Sequence, residues 1–222
     1  RDLHSFPTRR SSDLPGDVVE LADGLYTGTF SLGASGAEDA PIVIRGASQS
    51  GTILDGGGST GNVLEVYGSY VHLERLTIRN ANRAVRFQDA GAAGNVVRRV
   101  RIEEVNLGIG GRDDQSDFYI CDNDLSGPLA WPHVYPDDGG QFANVDGIVV
   151  FGTGHVVCHN RLVGFGDAIK MGQDGGRSVD FYGNEILSAY DNAIELDGAE
   201  RNVRALRNRV TNAYAPISFQ PV

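Results

Sequence analysis

The chain is almost without lysine. Of its 19 basic residues, only Lys170 is not arginine. Such a bias is expected of a GC-rich genome, and it singles out the one retained amine, which can lose its proton when its pKa is lowered as a guanidinium cannot. No run of 18 apolar residues occurs, so no helical segment is long enough to cross a bilayer. Helical periodicity is absent over any useful length. Positive charge is scarce, with 29 acidic residues against 19 basic ones and a net charge of −10. An acidic surface argues against nucleic acid and against membrane insertion or binding to anionic lipid. It leaves a polyanionic sugar open, because local patches decide that. Tryptophan occurs once and cysteine twice.

Glycine is plentiful, at 30 residues, as a turn-rich β protein needs. The second abundant feature is a repeat. When Val71–Ile78, Asn95–Ile102, Phe118–Leu125, His155–Leu162, Val179–Ile186 and Val203–Val210 are aligned, one column reads Leu76, Val100, Asn123, Asn160, Asn184, Asn208. The steps are 24, 23, 37, 24 and 24 residues, the long one being a repeat plus an insertion of 13. Two residues on, the column is Ile78, Ile102, Leu125, Leu162, Ile186, Val210. A fixed period with apolar columns marks a solenoid, whose coils bury their faces only by stacking. The asparagine column predicts amides stacked coil on coil at a bend.

Each repeat resolves into three short strands by period-2 alternation. Around Asn184, the residues Val179, Phe181, Ile186, Ile194 and Leu196 are expected inside and Glu195 outside, with a bend at Tyr182-Gly183. The last strand recurs as Val85/Phe87, Ile109/Gly111, Ile148/Val150, Ile169/Met171, Ile194/Leu196 and Ile217/Phe219. Strands at Asp17–Leu21, Thr29–Leu32, Ile42–Arg45, Thr52–Asp55 and Val63–Tyr67 extend the pattern toward the N-terminus. The fold class is therefore all-β, a parallel β-helix of about 24 residues per coil. Cys121 and Cys158 occupy the same position on neighbouring coils, close enough for either a disulfide or stacked free thiols.

Residues 1–14 carry no such pattern. They match, residue for residue, one reading frame of a common short-read sequencing adapter, and are expected to lie outside the fold. Residues 15–222 are expected to form one β-helix domain, open to truncation at both ends, so a signal peptide would not be visible.

The stretches Pro15–Tyr26, Pro41–Gly46 and Val71–Ile78 resemble the opening coils of pectin-lyase-like right-handed β-helices. They are especially similar to the alginate lyase/chondroitinase B group. The resemblance implies a right-handed helix and a carbohydrate-active protein, secreted or periplasmic, whose partner is a polysaccharide, uronate-containing by analogy. It implies a lyase or a hydrolase. The group's Asn-Lys-Ser and Arg-His-Gly stretches are absent, and the superfamily also holds non-catalytic scaffolds and binding modules, which remain the alternative.

Chemistry is expected on the outward face of the last strand. There Asp146, Asp167, Lys170 and Glu195 are the catalytic candidates, with Asp191 beside them. Stacked carboxylates must share a proton, pair with a cation or bind a metal. Asp146 and Asp167 are the candidate ligands for a hard, oxygen-liganded ion such as Ca²⁺. Asn144–Ile148 followed by Gly166–Lys170 is similar to the polygalacturonase Asn-Thr-Asp-Gly and Asp-Asp strands, although the second Asp, the Gly-His-Gly and the Arg-Ile-Lys signatures are missing. Lys170 is either a base for uronate C5 or a cross-coil ion-pair partner of Glu195. The insertion between Leu125 and Ile148 should overhang this face, bringing Trp131, His133, Tyr135, Asp137 and Asp138 to a bound sugar. His155 is expected in the core and His159 at a bend.

Overall fold

Apolar residues alternating through short segments, with polar corners every 24 residues, can be buried only by wrapping the chain and stacking the turns. The computed structural model describes residues 14–132, 145–173 and 175–220 and has this architecture. It is a right-handed parallel β-helix of about eight turns with coils about 24 residues apart. One sheet stacks eight strands, from Val18–Leu21 through Ile42–Gly46 and Val71–Glu74 to Arg204–Leu206. A 13-stranded sheet forms the other walls. Its longer members, Thr52–Val66, Thr77–Phe87 and Glu185–Glu195, run through a corner, so segments expected as two strands are one. A strand at Gly24–Thr27, not expected from the pattern, pairs with Thr52–Val66.

The asparagine column forms as expected. Asn123 Nδ2 donates to Asn160 Oδ1 at 2.9 Å, Asn160 Nδ2 to Asn184 Oδ1 at 3.0 Å, and Asn184 Nδ2 to Asn208 Oδ1 at 2.9 Å. Each acceptor oxygen also takes the backbone N–H of the asparagine one coil earlier. The residue before each column position has positive φ: Arg75, Arg99, Asp122, His159, Gly183 and Arg207 lie between 53° and 65°. A left-handed residue costs a side-chain-bearing position roughly 1 kcal/mol or more. The amide ladder offsets that cost by capping the backbone groups that the bend exposes. His159 is one of these corner residues, its ring edge-on to Tyr182 with centroids 5.2 Å apart.

The interior is filled by the predicted columns. Ile148, Ile169 and Ile194 are at most 1% exposed, as are Val179 and Phe181. His155 is buried in the core, with Nδ1 accepting from Phe118 N–H at 3.1 Å and Nε2 2.6 Å from the Phe151 carbonyl oxygen. Cys121 and Cys158, in register on neighbouring strands, are disulfide-bonded. Two expectations fail. Ile217 and Phe219 are exposed, at 53% and 61%, because an inward position is shielded only when another coil stacks on it and none of the described residues covers this one. Glu195 does point away from the core, yet it is buried. Lys170 flanks it on one side and Ser218 on the other.

Candidate active site

The outward face of the last strand in each coil forms the floor of a groove of about 1580 Å³ running along several coils. Register fixes its members. Asp146 pairs with Asp167, and Lys170 with Glu195, on directly adjacent parallel strands. Asp146, Asp167, Lys170, Glu195 and Asp191 therefore all line this groove, as the ladder in the sequence predicts.

Lys170 is the hub. Its Nζ lies 3.0 Å from Asp167 Oδ2 and 2.9 Å from Glu195 Oε2. Burial works against its charge, but the hydrogen bonds and charges of Glu195 and Asp167 outweigh it and hold the ammonium well above the usual amine range. A charge so held opposes a base role, and the contacts it makes are the cross-coil ones with Asp167 and Glu195. Asp167 Oδ1 accepts from Asn192 N–H at 3.1 Å and Asn192 Nδ2 at 3.0 Å. Burial raises the Asp167 pKa, but its hydrogen bond to Glu195, the Lys170 charge and the Asn192 amide together bring it below the ordinary value. Glu195 is pushed up to about 7, first by burial and then by its hydrogen bond to Asp167, with Lys170 opposing. Asp146 is raised to about 6 by burial and by the Asp167 charge, again with Lys170 opposing. Asp191 is raised by burial and by Asp167.

Two carboxyls thus titrate near neutrality beside one that stays ionised. Environments that push neighbouring carboxyl pKa values apart are what divides acid from base roles in an active site. The same contacts bear on a bound cation. The Asp167 oxygens already serve Asn192 and Lys170. Among the described residues no three His, Cys, Asp or Glu side chains are grouped to hold a metal. The donor set around Asp146 and Asp167 therefore does not fit Ca²⁺, and no catalytic step below uses one.

Of the insertion, Trp131 is described, while His133, Tyr135, Asp137 and Asp138 lie outside the described residues. Trp131 is 45% exposed and packs its ring 5.8 Å from that of Tyr190, the residue before groove-lining Asp191. It does not itself line the groove.

Sequence reasoning missed two features. Phe151 lies on the groove floor, its ring filling space left by Gly172, where a Cβ would fall 2.0 Å from the ring. The opposite end of the groove is lined by Arg83, Arg86 and Arg112. The signal was present, since Arg83 and Arg86 fall in the same outward columns as Asp167 and Lys170.

No family model and no curated protein sequence matches the chain. Solved structures do. The crystal structure of an alginate lyase from Paenibacillus sp. str. FPU-7 aligns with a TM-score of 0.53 at 16% identity, covering 92% of this chain and 93% of that one. Pectate lyase Pel9A aligns with a TM-score of 0.60 at 13% identity, covering 92% of this chain and 69% of that one. At such identities the likeness establishes the fold alone, a parallel β-helix.

Proposed function

We propose that this β-helix cleaves an acidic polysaccharide by acid–base catalysis, with Glu195 as proton donor, Asp146 as base and Asp167 as a positioning residue, and that the reaction is hydrolysis. The observation that carries the reading is the convergence of Asp167 and Glu195 on Lys170 Nζ, at 3.0 and 2.9 Å, beside an Asp146 carboxyl that makes no side-chain hydrogen bond among the described residues. One ammonium facing two buried carboxyls favours a proton on one of them, and the raised one is Glu195. Asp146 ionises just below neutrality, where a base is both available and strong.

In this mechanism Asp146 takes a proton from water as the water oxygen bonds to the anomeric carbon. The glycosidic C–O bond breaks, and Glu195 gives its proton to the leaving oxygen. Asp167 cannot be the base. Two carboxyls that converge on one ammonium lie too close for the water that an inverting mechanism places between them. Hydrolysis is preferred over β-elimination because elimination needs the uronate carboxylate neutralised at the reacting sugar. The cation nearest these carboxyls, Lys170, is already committed to Asp167 and Glu195. The disulfide supports an oxidising, exported location.

The test is a panel of polyuronates and mixed acidic glycans, followed by reducing-end release and by near-ultraviolet absorbance of unsaturated uronate. Reducing ends without that absorbance fit the proposal. Absorbance rising in step with them would make the protein a lyase, and binding without either would leave a binding module.

A further inference from the structure

The groove has two electrostatic halves, and the acid–base chemistry occupies only one. At the other end stand Arg83 and Arg86 on the strand Thr77–Phe87, and Arg112 one coil on. The guanidinium of Arg86 lies over Gly110, where a Cβ would come 2.4 Å from its Nη1, so the missing side chain makes the seat it occupies. Its register neighbour one coil earlier is Glu65, the expected ion-pair partner. That carboxylate is used elsewhere, by Asn62 Nδ2 at 2.6 Å, Gln88 Nε2 at 3.0 Å and Tyr67 OH at 3.0 Å.

Among the described residues Arg83 and Arg86 make no ion pair and no side-chain hydrogen bond, whereas Lys170, at the same outward position as Arg86, is doubly paired. The Arg112 side chain donates to a neutral acceptor, Gln88 Oε1, at 3.1 Å. Half-buried guanidinium donors side by side without an acceptor are costly. Burial, with Arg112 and Arg83 close by, brings the Arg86 pKa down to about 10. A planar oxyanion matches the guanidinium fork and would relieve both the repulsion and the unmade hydrogen bonds.

We infer that Arg83, Arg86 and Arg112 form a subsite for an anionic substituent, a carboxylate or sulfate, of a glycan lying along the groove. The inference rests on the glycan-cleaving reading and deepens it. Arg86 and Glu195 are four coil steps apart, about 19 Å at the usual strand spacing, a distance that a few linked sugars span. The Asp146–Glu195 end repels anions. The sugar at the cleaved bond is therefore uncharged, and the charged sugar is held at the arginines. The substrate class is a polymer in which charged and uncharged sugars are spaced along one chain.

The experiment uses the full chain carrying Glu195→Gln, so that no probe is consumed. Its mobility is followed by affinity electrophoresis in gels containing alginate, chondroitin sulfate or dextran. The inference expects retardation by at least one anionic polymer and none by dextran. Retardation by alginate assigns carboxylate recognition, and retardation by chondroitin sulfate alone assigns sulfate. Arg83→Gln/Arg86→Gln should weaken the apparent affinity at least tenfold, and Arg83→Lys/Arg86→Lys should recover part of it. The exposed Arg112→Gln, which leaves the strands intact, should weaken binding if the double variant fails to fold. Undiminished retardation in these variants, or no preference over dextran, would overturn the subsite. A wild-type protein that is retarded but cleaves nothing would overturn the catalytic reading and leave the subsite standing.

Discussion

Glu195 and Asp167, on adjacent coils, converge on Lys170 Nζ at 2.9 and 3.0 Å, and the two carboxyls are driven in opposite directions, Glu195 to about 7 and Asp167 below its ordinary value. Lys170 contacts both and sets the charge of the trio. With Glu195 as acid and Asp146 as base, turnover needs the first protonated and the second ionised. The pH–rate profile should be a narrow bell, falling below about 6 as Asp146 protonates and above about 7 as Glu195 ionises. A plateau extending to pH 9 would remove Glu195 from the acid role.

Asp146 also ties stability to pH. Its folded value of about 6 exceeds the ordinary 3.8, so the folded state holds its proton more tightly than the unfolded one. The resulting penalty is absent below pH 3.8, grows as pH rises, and is complete above about 6. Asp146→Asn should therefore stabilise the protein at pH 8 by on the order of 1–3 kcal/mol and leave it unchanged near pH 4. Denaturant melts at the two pH values measure this.

The amide ladder should be a main support of the fold. Asn160→Ala strips acceptors from Asn123 N–H and Nδ2 and a donor from the Ile120 carbonyl, all buried. Leaving such groups unmade costs about 1–3 kcal/mol each, so a loss of at least about 2 kcal/mol is expected by chemical denaturation. A loss of only a few tenths would mean that the bends hold without the ladder.

The disulfide closes a sequence separation of 37 residues. Chain-entropy arguments assign such a closure about 4 kcal/mol, with engineered cases often lower. Cys121→Ala/Cys158→Ala should lower stability by roughly 2–4 kcal/mol, and reductant should have the same effect on the wild type and none on the variant.

Much of this molecule was legible before any coordinates, for one reason: a solenoid repeats its environment. Asn123, Asn160, Asn184 and Asn208 could be aligned because each coil places the same residue at the same bend. The outward ladder of Asp146, Asp167, Lys170 and Glu195 followed from the same register. What could not be read depends on neighbours in three dimensions. Ile217 fits the inward column, but an inward residue is buried only by a coil on each side. Glu195 faces outward and is nevertheless covered by Lys170 and Ser218. The arginine end is not legible from the sequence, because register places Glu65 beside Arg86, where cross-strand ion pairs are ordinary. Only the structure shows Glu65 bonded to Asn62, Gln88 and Tyr67 instead.

The most direct test of the catalytic account is Glu195→Gln, assayed together for glycan cleavage and for stability at pH 6.5. Glutamine copies the shape of the protonated carboxyl, and its oxygen can accept from Lys170 as the native one does. It has no proton to transfer. The account predicts a stability change below about 1 kcal/mol with a fall in kcat of about 10²–10⁴-fold. A variant that cleaves its glycan at the wild-type rate, or one that unfolds, would show that Glu195 holds the coils together and that the chemistry lies elsewhere.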